Sequence, residues 1–525
     1  MRPGIAGILS LGILALGACE QAPPAGEFDI VEATIADIQK AIEDGRTTCA
    51  RVVDAYLARI AAYDKPTGLN AITVVNPEAR ARAAAIDARH AAGKPLGPLW
   101  CAPLLIKDNF DTHDLPTTGG SVAMMDHLPP DDAFMIARLR AADAIVLAKT
   151  NMAEWAFSPR RTESASYGVT ANAYALDRVP AGSSGGTASG VAASFGVAGM
   201  GTDTGNSIRG PASHLALFGI RSTIGLTSRD GIIPLAFDRD IAGPLTRTVE
   251  DGARIFSVIV GSDPADPFTA EADARKADDY TRFLGPQGLA GVRVGVLRAL
   301  VDRDDADPAI TALFEAALDD MRRAGAVIVD PVKIADFEKH IRDEGFCPRF
   351  RYDMHVYLKS LGERAPFDDV MTVRETGQYS PYVKDALDYF APWPLDVAPE
   401  DWAEPCPPYL AHPKRRAFLA AVTAAIDAAD VTVLVYPTWT SPPAHLDRAE
   451  EEYRGDNSQL VAPATGMPAA TVPMGFSHGN LPAGLQILAR RFDEPAIFRV
   501  AYAYEQATHH RRPPAAFPPL GGAGE

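Results

Sequence analysis

The sequence predicts an α/β layered fold. Helical patterns alternate with short apolar runs: "PLLI" at 103–106, "AIVLA" at 144–148, "VRVGVL" at 292–297 and "VTVLVYPT" at 431–438. Strands separated by helices give layered α/β architecture. The chain has 525 residues, 47% hydrophobic and 22% charged, ample for a large core and unlike a disordered chain. Internal repeats are absent from the sequence.

The elements follow in order. Residues 34–62 read as a helical hairpin, with Thr34 and Asp37 at the first start and Gly45 at the first stop. Thr47 or Thr48 can cap the second helix, whose Val52, Val53, Tyr56, Leu57 and Ile60 share one face. Asn76-Pro77 turns the chain into an Ala/Arg-rich helix ended by Gly93. "APLLIKDNF" is a strand that ends in Lys107, and a helix then leads into the strand 144–148. "TASGVAASF" reads as a short helix, "VAGMGTD" as a buried strand, and "PASHLALFG" as a helix with Pro211 early and Gly219 just past its end. Residues 336–412 differ, being rich in aromatics and prolines, and read either as a substrate-lining lid or as a peripheral helical layer.

"PAGSSGGTASG" at 180–190 resembles a flexible linker, yet it runs directly into small, core-forming residues. Two glycine loops here carry polar groups: Ser183 and Ser184 in the first, and Thr202, Asp203, Thr204, Asn206 and Ser207 in the second. Strand ends and helix starts expose unpaired N–H groups, so a serine there has the makings of a nucleophile beside an oxyanion hole. The bland alternative is that these residues only cap turns.

The run "GSSGGTASG" (182–190), "GMGTDTGNSIRGPAS" (199–213) and "GIRSTIGLTSRDGIIP" (219–234) strongly resembles the amidase signature family. So do "GPLWCAPLLIKDNFDT" (97–112), "LAKTNMAEWA" (147–156), "AGPLTRTVEDGA" (242–253) and the segment 463–508. The resemblance covers residues from about 30 to 510, with the motifs in family order. It implies one large mixed β-sheet covered by α-helices on both faces, and a Ser–cis-Ser–Lys triad. By that resemblance Lys107 is the base, Ser183 the proton relay and Ser207, 24 residues on (207 − 183), the nucleophile. The backbone N–H groups of Thr204, Gly205, Asn206 and Ser207 would form the oxyanion hole, with Asp203, Arg209 and Ser184 in support. The peptide preceding Ser183 is expected to be cis, and Lys107 to reach the Ser183 hydroxyl. A lysine can act as base near neutral pH only if burial depresses its usual pKa of about 10.4; Asp108 would oppose this if it pointed inward.

Three positions depart from the family pattern. Asn206 stands for a glycine, which its tolerance of positive φ would allow, and its side chain would narrow the pocket or add a donor. Ala181 also replaces a glycine, and Arg349 replaces an acid, which puts inherited substrate contacts there in doubt. A Ser-His-Asp triad through His214 fails on distance, since seven helical residues span about 10 Å.

The implied activity is amide hydrolysis through an acyl-serine, on a small-molecule amide or peptide amide, most like the peptide-amidase-like secreted branch. The rivals are ester or carbamate hydrolysis, an inactive binding lipoprotein and an amidotransferase subunit. A net charge of −17 argues against nucleic-acid partners. Without CxxC or HExxH, no metal is expected, and no cofactor. Residues 1–18 read as a signal peptide, with an apolar run from Ile5 to Leu16 too short to span a membrane. Leu16-Gly17-Ala18-Cys19 resembles a lipobox, which implies lipidation of Cys19, a membrane anchor in the bacterial cell envelope and a periplasm-facing enzyme. Residues 19–29 then form a tether, 30–515 a single domain and 516–525 a tail. Cys49, Cys101, Cys347 and Cys406 remain for disulfides whose pairing the spacing leaves open, as it does the oligomeric state.

Overall fold

The computed structural model describes Met1 and residues 28–520. The signal-like stretch, Cys19 and most of the expected tether lie outside the described residues, as do residues 521–525.

The strands are β1 (Ile72–Val75), β2 (Pro103–Lys107), β3 (Ile145–Thr150), β4 (Glu163–Ser164), β5 (Gly168–Val169), β6 (Ala198–Asp203) and β7 (Phe218–Arg221). They continue as β8 (Ile241–Thr246), β9 (Arg293–Val296), β10 (Val327–Val329), β11 (Val433–Pro437), β12 (Ala469–Ser477) and β13 (Leu481–Leu488). β4 and β5 form a small hairpin, and the other eleven build one mixed sheet in the order β1-β3-β2-β6-β8-β7-β12-β13-β11-β9-β10. β3, β2 and β6 run parallel, as do β11, β9 and β10, and the remaining pairings are antiparallel. The central strands β2, β3, β6, β7 and β8 are buried along their whole length, which is why they read as continuous apolar runs rather than alternating ones.

The local signals act as chemistry requires. Thr34 and Asp37 form a reciprocal capping box on the helix Ile35–Glu43, and Thr48 caps Cys49–Tyr63. One expectation is corrected. The helix read through "PASHLALFG" covers only Arg209–His214, because Ala216 turns the chain at φ 49° and Phe218 and Gly219 pair with Thr246 and Leu245 of β8. Sheet pairing outweighs the helical propensity of the leucines here.

The parallel pair β2 and β6, with Ile106 opposite Met200, sets their carboxyl ends side by side. Ligands of open α/β sheets bind at such ends. The short helix Gly185–Ala192 packs against both strands. Its glycines permit close approach: a Cβ on Gly186 would lie 2.2 Å from the Asn151 carbonyl oxygen.

Residues 336–412 form short helices, including Phe350–Ser360 and Lys384–Phe390, with a hydrophobic cluster of their own. That cluster also contains Trp155 and Ile233, and Phe157 and Leu235 pack on it. The segment is thus a peripheral helical layer seated directly on loops that flank the carboxyl ends of β2 and β6. It is tied down by Tyr382, whose hydroxyl accepts from the Glu154 N–H at 2.7 Å, and by Asp353, which accepts from the Phe237 N–H at 2.7 Å. Arg349 pairs with Asp353 at 2.8 Å and so positions that contact.

The structure pairs Cys49 with Cys101 and Cys347 with Cys406, with Cα–Cα distances of 5.6 and 5.9 Å. The first ties a helix to the turn before β2, and the second closes most of the variable segment into a loop 59 residues apart in sequence. Closing a loop of that length removes unfolded-state entropy equivalent to about 4 kcal/mol. Replacing both Cys347 and Cys406 by Ser is expected to lower the unfolding free energy by up to about that amount, read from urea denaturation; an unchanged midpoint would show that the crosslink does not hold this layer.

Candidate active site

Lys107 ends β2 with its side chain fully buried. Its Nζ lies 2.7 Å from Ser183 Oγ and 2.6 Å from Thr202 Oγ1, and among the described residues these two hydroxyls are its only hydrogen-bond partners. Asn109 Nδ2 donates to Thr202 Oγ1 at 3.1 Å and fixes that hydroxyl. Burial pushes the Lys107 ammonium down to about 7, although the more distant carboxylates of Asp240 and Asp203 oppose the shift.

The neighbouring strand offers an internal control. Lys149 on β3 is equally buried, but its Nζ donates to the Phe110 carbonyl at 2.7 Å and to Thr117 Oγ1 at 2.9 Å, and lies 3.8 Å from Asp108 Oδ1. Burial lowers the Lys149 ammonium as well, so the two lysines differ in their partners, with Asp108, Asp111 and Asp114 opposing the shift at Lys149. Asp108 is engaged with Thr118 and Lys149 and faces away from Lys107.

The peptide between Gly182 and Ser183 is cis. Ser184 fastens this loop to β6, its Oγ donating to the Thr202 carbonyl at 3.1 Å. Ala181 adopts φ 64°, a conformation natural to glycine.

The second loop leaves β6 at Asp203. This carboxylate is enclosed by two fully buried guanidiniums, with Arg209 Nη2 at 3.1 Å and Arg221 Nη1 at 2.9 Å from Oδ1. Its Oδ2 accepts from the N–H groups of Ile208 at 3.1 Å and Arg209 at 3.4 Å. Burial alone would raise its pKa, but the two arginines and these hydrogen bonds hold it at about 2.

The same arginines orient the backbone. Arg221 donates to the carbonyl of Asp203, Arg239 Nε to that of Thr204 at 3.1 Å, and Arg209 Nη2 to that of Gly205 at 2.6 Å. The Gly210 N–H donates to the carbonyl of Asn206 at 2.7 Å. In a trans peptide the carbonyl and the next N–H point in opposite directions. Four anchored carbonyls therefore aim the N–H groups of Thr204, Gly205, Asn206 and Ser207 to the other side of the loop. Among the described residues, those of Gly205 to Ser207 have no protein acceptor. Backbone N–H groups without a protein acceptor are the kind of donor an oxyanion hole needs.

Ser207 is 5% exposed. Its Oγ donates to Asn206 Oδ1 at 3.3 Å, and among the described residues no hydrogen bond joins it to Ser183. Asn206 does not occupy positive φ, so the tolerance expected of it there is not needed. Its side chain also differs from expectation: it meets Ser207 as an acceptor, while Nδ2 donates to Asp456 Oδ2 at 3.0 Å and to the Pro159 carbonyl at 3.3 Å. His214 packs against Trp439 with both ring nitrogens unpaired, and burial pushes its pKa down to about 3. It takes no part in the constellation.

The structure thus brings Lys107, Ser183 and the 204–207 loop to one end of β2 and β6, with Asp203, Arg209 and Ser184 behind them. Arg221, Arg239, Asn109 and Asp456 escape sequence reasoning. Arg221 and Asn109 have a signal, lying inside the motifs "GIRST" and "LLIKDNF", while Arg239 and Asp456 lie in none of the quoted motifs.

Two outcomes follow from this geometry. Asp203→Asn leaves two buried guanidiniums without their anion, and should cost about 3–5 kcal/mol of stability by denaturant unfolding; a loss below about 1 kcal/mol would mean the pair is not structural. A base of depressed pKa works only when deprotonated, so kcat/KM on an uncharged substrate should rise with pH through an apparent pKa near 7 and then level off. A pH–rate profile whose rising limb lies near the ordinary lysine value of about 10.4 would contradict this.

Comparison with known proteins agrees with the geometry. The family profile described as Amidase matches residues 51–498. The chain is 34% identical over 495 residues to a glutamyl-tRNA(Gln) amidotransferase subunit of Synechococcus sp. (strain JA-3-3Ab), covering 89% of this chain and 90% of that protein. Native peptide amidase from Stenotrophomonas maltophilia superposes with a TM-score of 0.80 at 35% identity, covering 92% of this chain and 98% of that one. The corresponding glutamyl-tRNA(Gln) amidotransferase subunit from Thermotoga maritima superposes with a TM-score of 0.71 at 26% identity, covering 91% and 96%. With the motifs, the eleven-stranded sheet and these matches in agreement, the chain belongs to the amidase signature family.

Proposed function

We propose that the protein is an amide-bond hydrolase acting on a small amide or peptide amide through an acyl-serine intermediate. The observation that carries this is the buried Lys107 amine bonded to Ser183, beside a loop whose N–H groups are aimed by four anchored carbonyls.

The residues act as follows. Ser207 Oγ attacks the substrate carbonyl carbon while its proton passes to Ser183, whose own proton moves to Lys107 Nζ. The carbonyl oxygen gains negative charge and is met by the N–H groups of residues 204–207. The C–N bond breaks as Lys107, through Ser183, returns the proton to the leaving amine. Water then repeats the sequence on the acyl-serine and releases the acid. An ester or carbamate would form the same kind of intermediate.

Similarity to peptide amidase structures, at higher TM-scores than the amidotransferase subunit, supports the hydrolytic reading. The sequence relatives favour a second reading, an amidotransferase subunit that passes ammonia to a partner. The signal-like N-terminus and two disulfides favour the first, since disulfides persist in oxidising compartments. On the same grounds we place the enzyme in the cell envelope, anchored through Cys19.

A panel of peptide amides, anilides, simple amides and esters tests this. The isolated wild-type chain should turn over at least one class, and Ser207→Ala should lose about a thousandfold or more. Turnover equal in both, or activity appearing only when an ammonia-accepting partner is added, would overturn it.

A further inference from the structure

We propose that the Asn206 side chain is a latch on the nucleophile: in the free enzyme it holds the Ser207 hydroxyl proton away from Ser183, and reaction begins when that hydroxyl turns. The proposal rests on the reading of Ser207 as nucleophile.

The orientation of the amide is dictated by its surroundings. Asn206 Nδ2 faces the Asp456 carboxylate at 3.0 Å and the Pro159 carbonyl at 3.3 Å, and both accept hydrogen bonds. Asp456 is itself held by Tyr453, whose hydroxyl donates at 3.0 Å, and by Ser458. The NH₂ end is therefore committed, and the oxygen end must face Ser207. An amide oxygen only accepts, so the Ser207 hydroxyl must donate to it. A neutral amide is no base for this proton. The arrangement is hence a resting one, in which the transferable proton points away from the Ser183–Lys107 relay. At 3.3 Å the bond is long for O–H···O, so it is weak enough for substrate to release.

The side chain is also accommodated by its neighbours. A Cβ on Gly210 would come within 2.9 Å of Asn206 Nδ2, so only glycine there leaves the amide its place. Asn206 stands where the resemblance leads one to expect glycine, which makes the latch an addition of this chain.

The test measures how fast phenylmethanesulfonyl fluoride inactivates the enzyme. In that reaction a bond forms between Ser207 Oγ and sulfur, the S–F bond breaks, fluoride leaves and the serine proton passes through Ser183 to Lys107. Rate constants are compared for wild type, Asn206→Gly, Asn206→Ala and Asp456→Ala, with the label mapped by mass spectrometry. Removing one weak hydrogen bond should speed labelling of Ser207 about threefold to tenfold in both Asn206 variants. Asp456→Ala removes the main acceptor of the Asn206 NH₂, frees the amide to turn and should give a smaller gain, which carries the test if the Asn206 variants do not fold. Damage to the loop would slow labelling, so a purely structural role predicts the opposite sign. Labelling of Ser207 at an unchanged or lower rate in folded variants would overturn the latch and leave the nucleophile standing. A label on another residue, or equal labelling of Ser207→Ala, would overturn both.

Discussion

The Asp203 carboxylate, enclosed by Arg209 and Arg221, is the contact on which the rest of the site depends. A buried charge is costly unless paired and fully hydrogen-bonded. Here the neutralising groups do a second task, because Arg209 and Arg221 also hold backbone carbonyls of the loop that carries Ser207. The loop is therefore not shaped by its own turn propensities. It is shaped by guanidiniums from the following helix, from β7 and, through Arg239, from the segment before β8. Backbone donors fixed in this way would need little reorganisation if they served the proposed oxyanion hole.

The position of Lys107 depends on the sheet in a comparable way. β2 is central and parallel to β6, so its last residue is delivered into a dry space between two strand ends. Lys107 and Lys149 are both buried lysines on adjacent strands, yet they differ in what surrounds them. Lys149 has a carbonyl, hydroxyls and a nearby carboxylate, and burial lowers its ammonium against the opposing charge of Asp108, Asp111 and Asp114. Among the described residues Lys107 has two hydroxyls as partners and no ion pair, and burial lowers its ammonium to about 7.

Much of this site is legible in the sequence, and the limits are instructive. Lys107 at a strand end, and Ser183 and Ser207 in two glycine loops, are visible because the motifs are local and their spacing is fixed. The capping box at Thr34 and the buried strands are legible for the same reason. Arg239 and Asp456 are not, because they reach the site from segments whose proximity only the eleven-stranded topology creates, whereas Asn109 lies two residues beyond Lys107 in the same motif and only its role goes unread. The helix 209–214 reads too long in the sequence, since strand pairing at Phe218 and Gly219 leaves no local mark. Asn206 reads as a backbone matter or a pocket donor, and the meaning of its amide emerges only with the acceptors around it. The variable segment admits two readings because its place as a cover follows from the Trp155 and Ile233 cluster beneath it.

Burial lowers the Lys107 ammonium to about 7, so that a large share of it is free amine near neutral pH, and the proposed chemistry stands or falls with that shift. Direct titration of its side chain tests this, by NMR of the full chain carrying ¹³C at the lysine ε-carbons, with the signal assigned by its loss in Lys107→Met. A midpoint near 7 is the expected result. A Lys107 signal that stays in the ammonium position up to the ordinary lysine range of about 10.4 would contradict it.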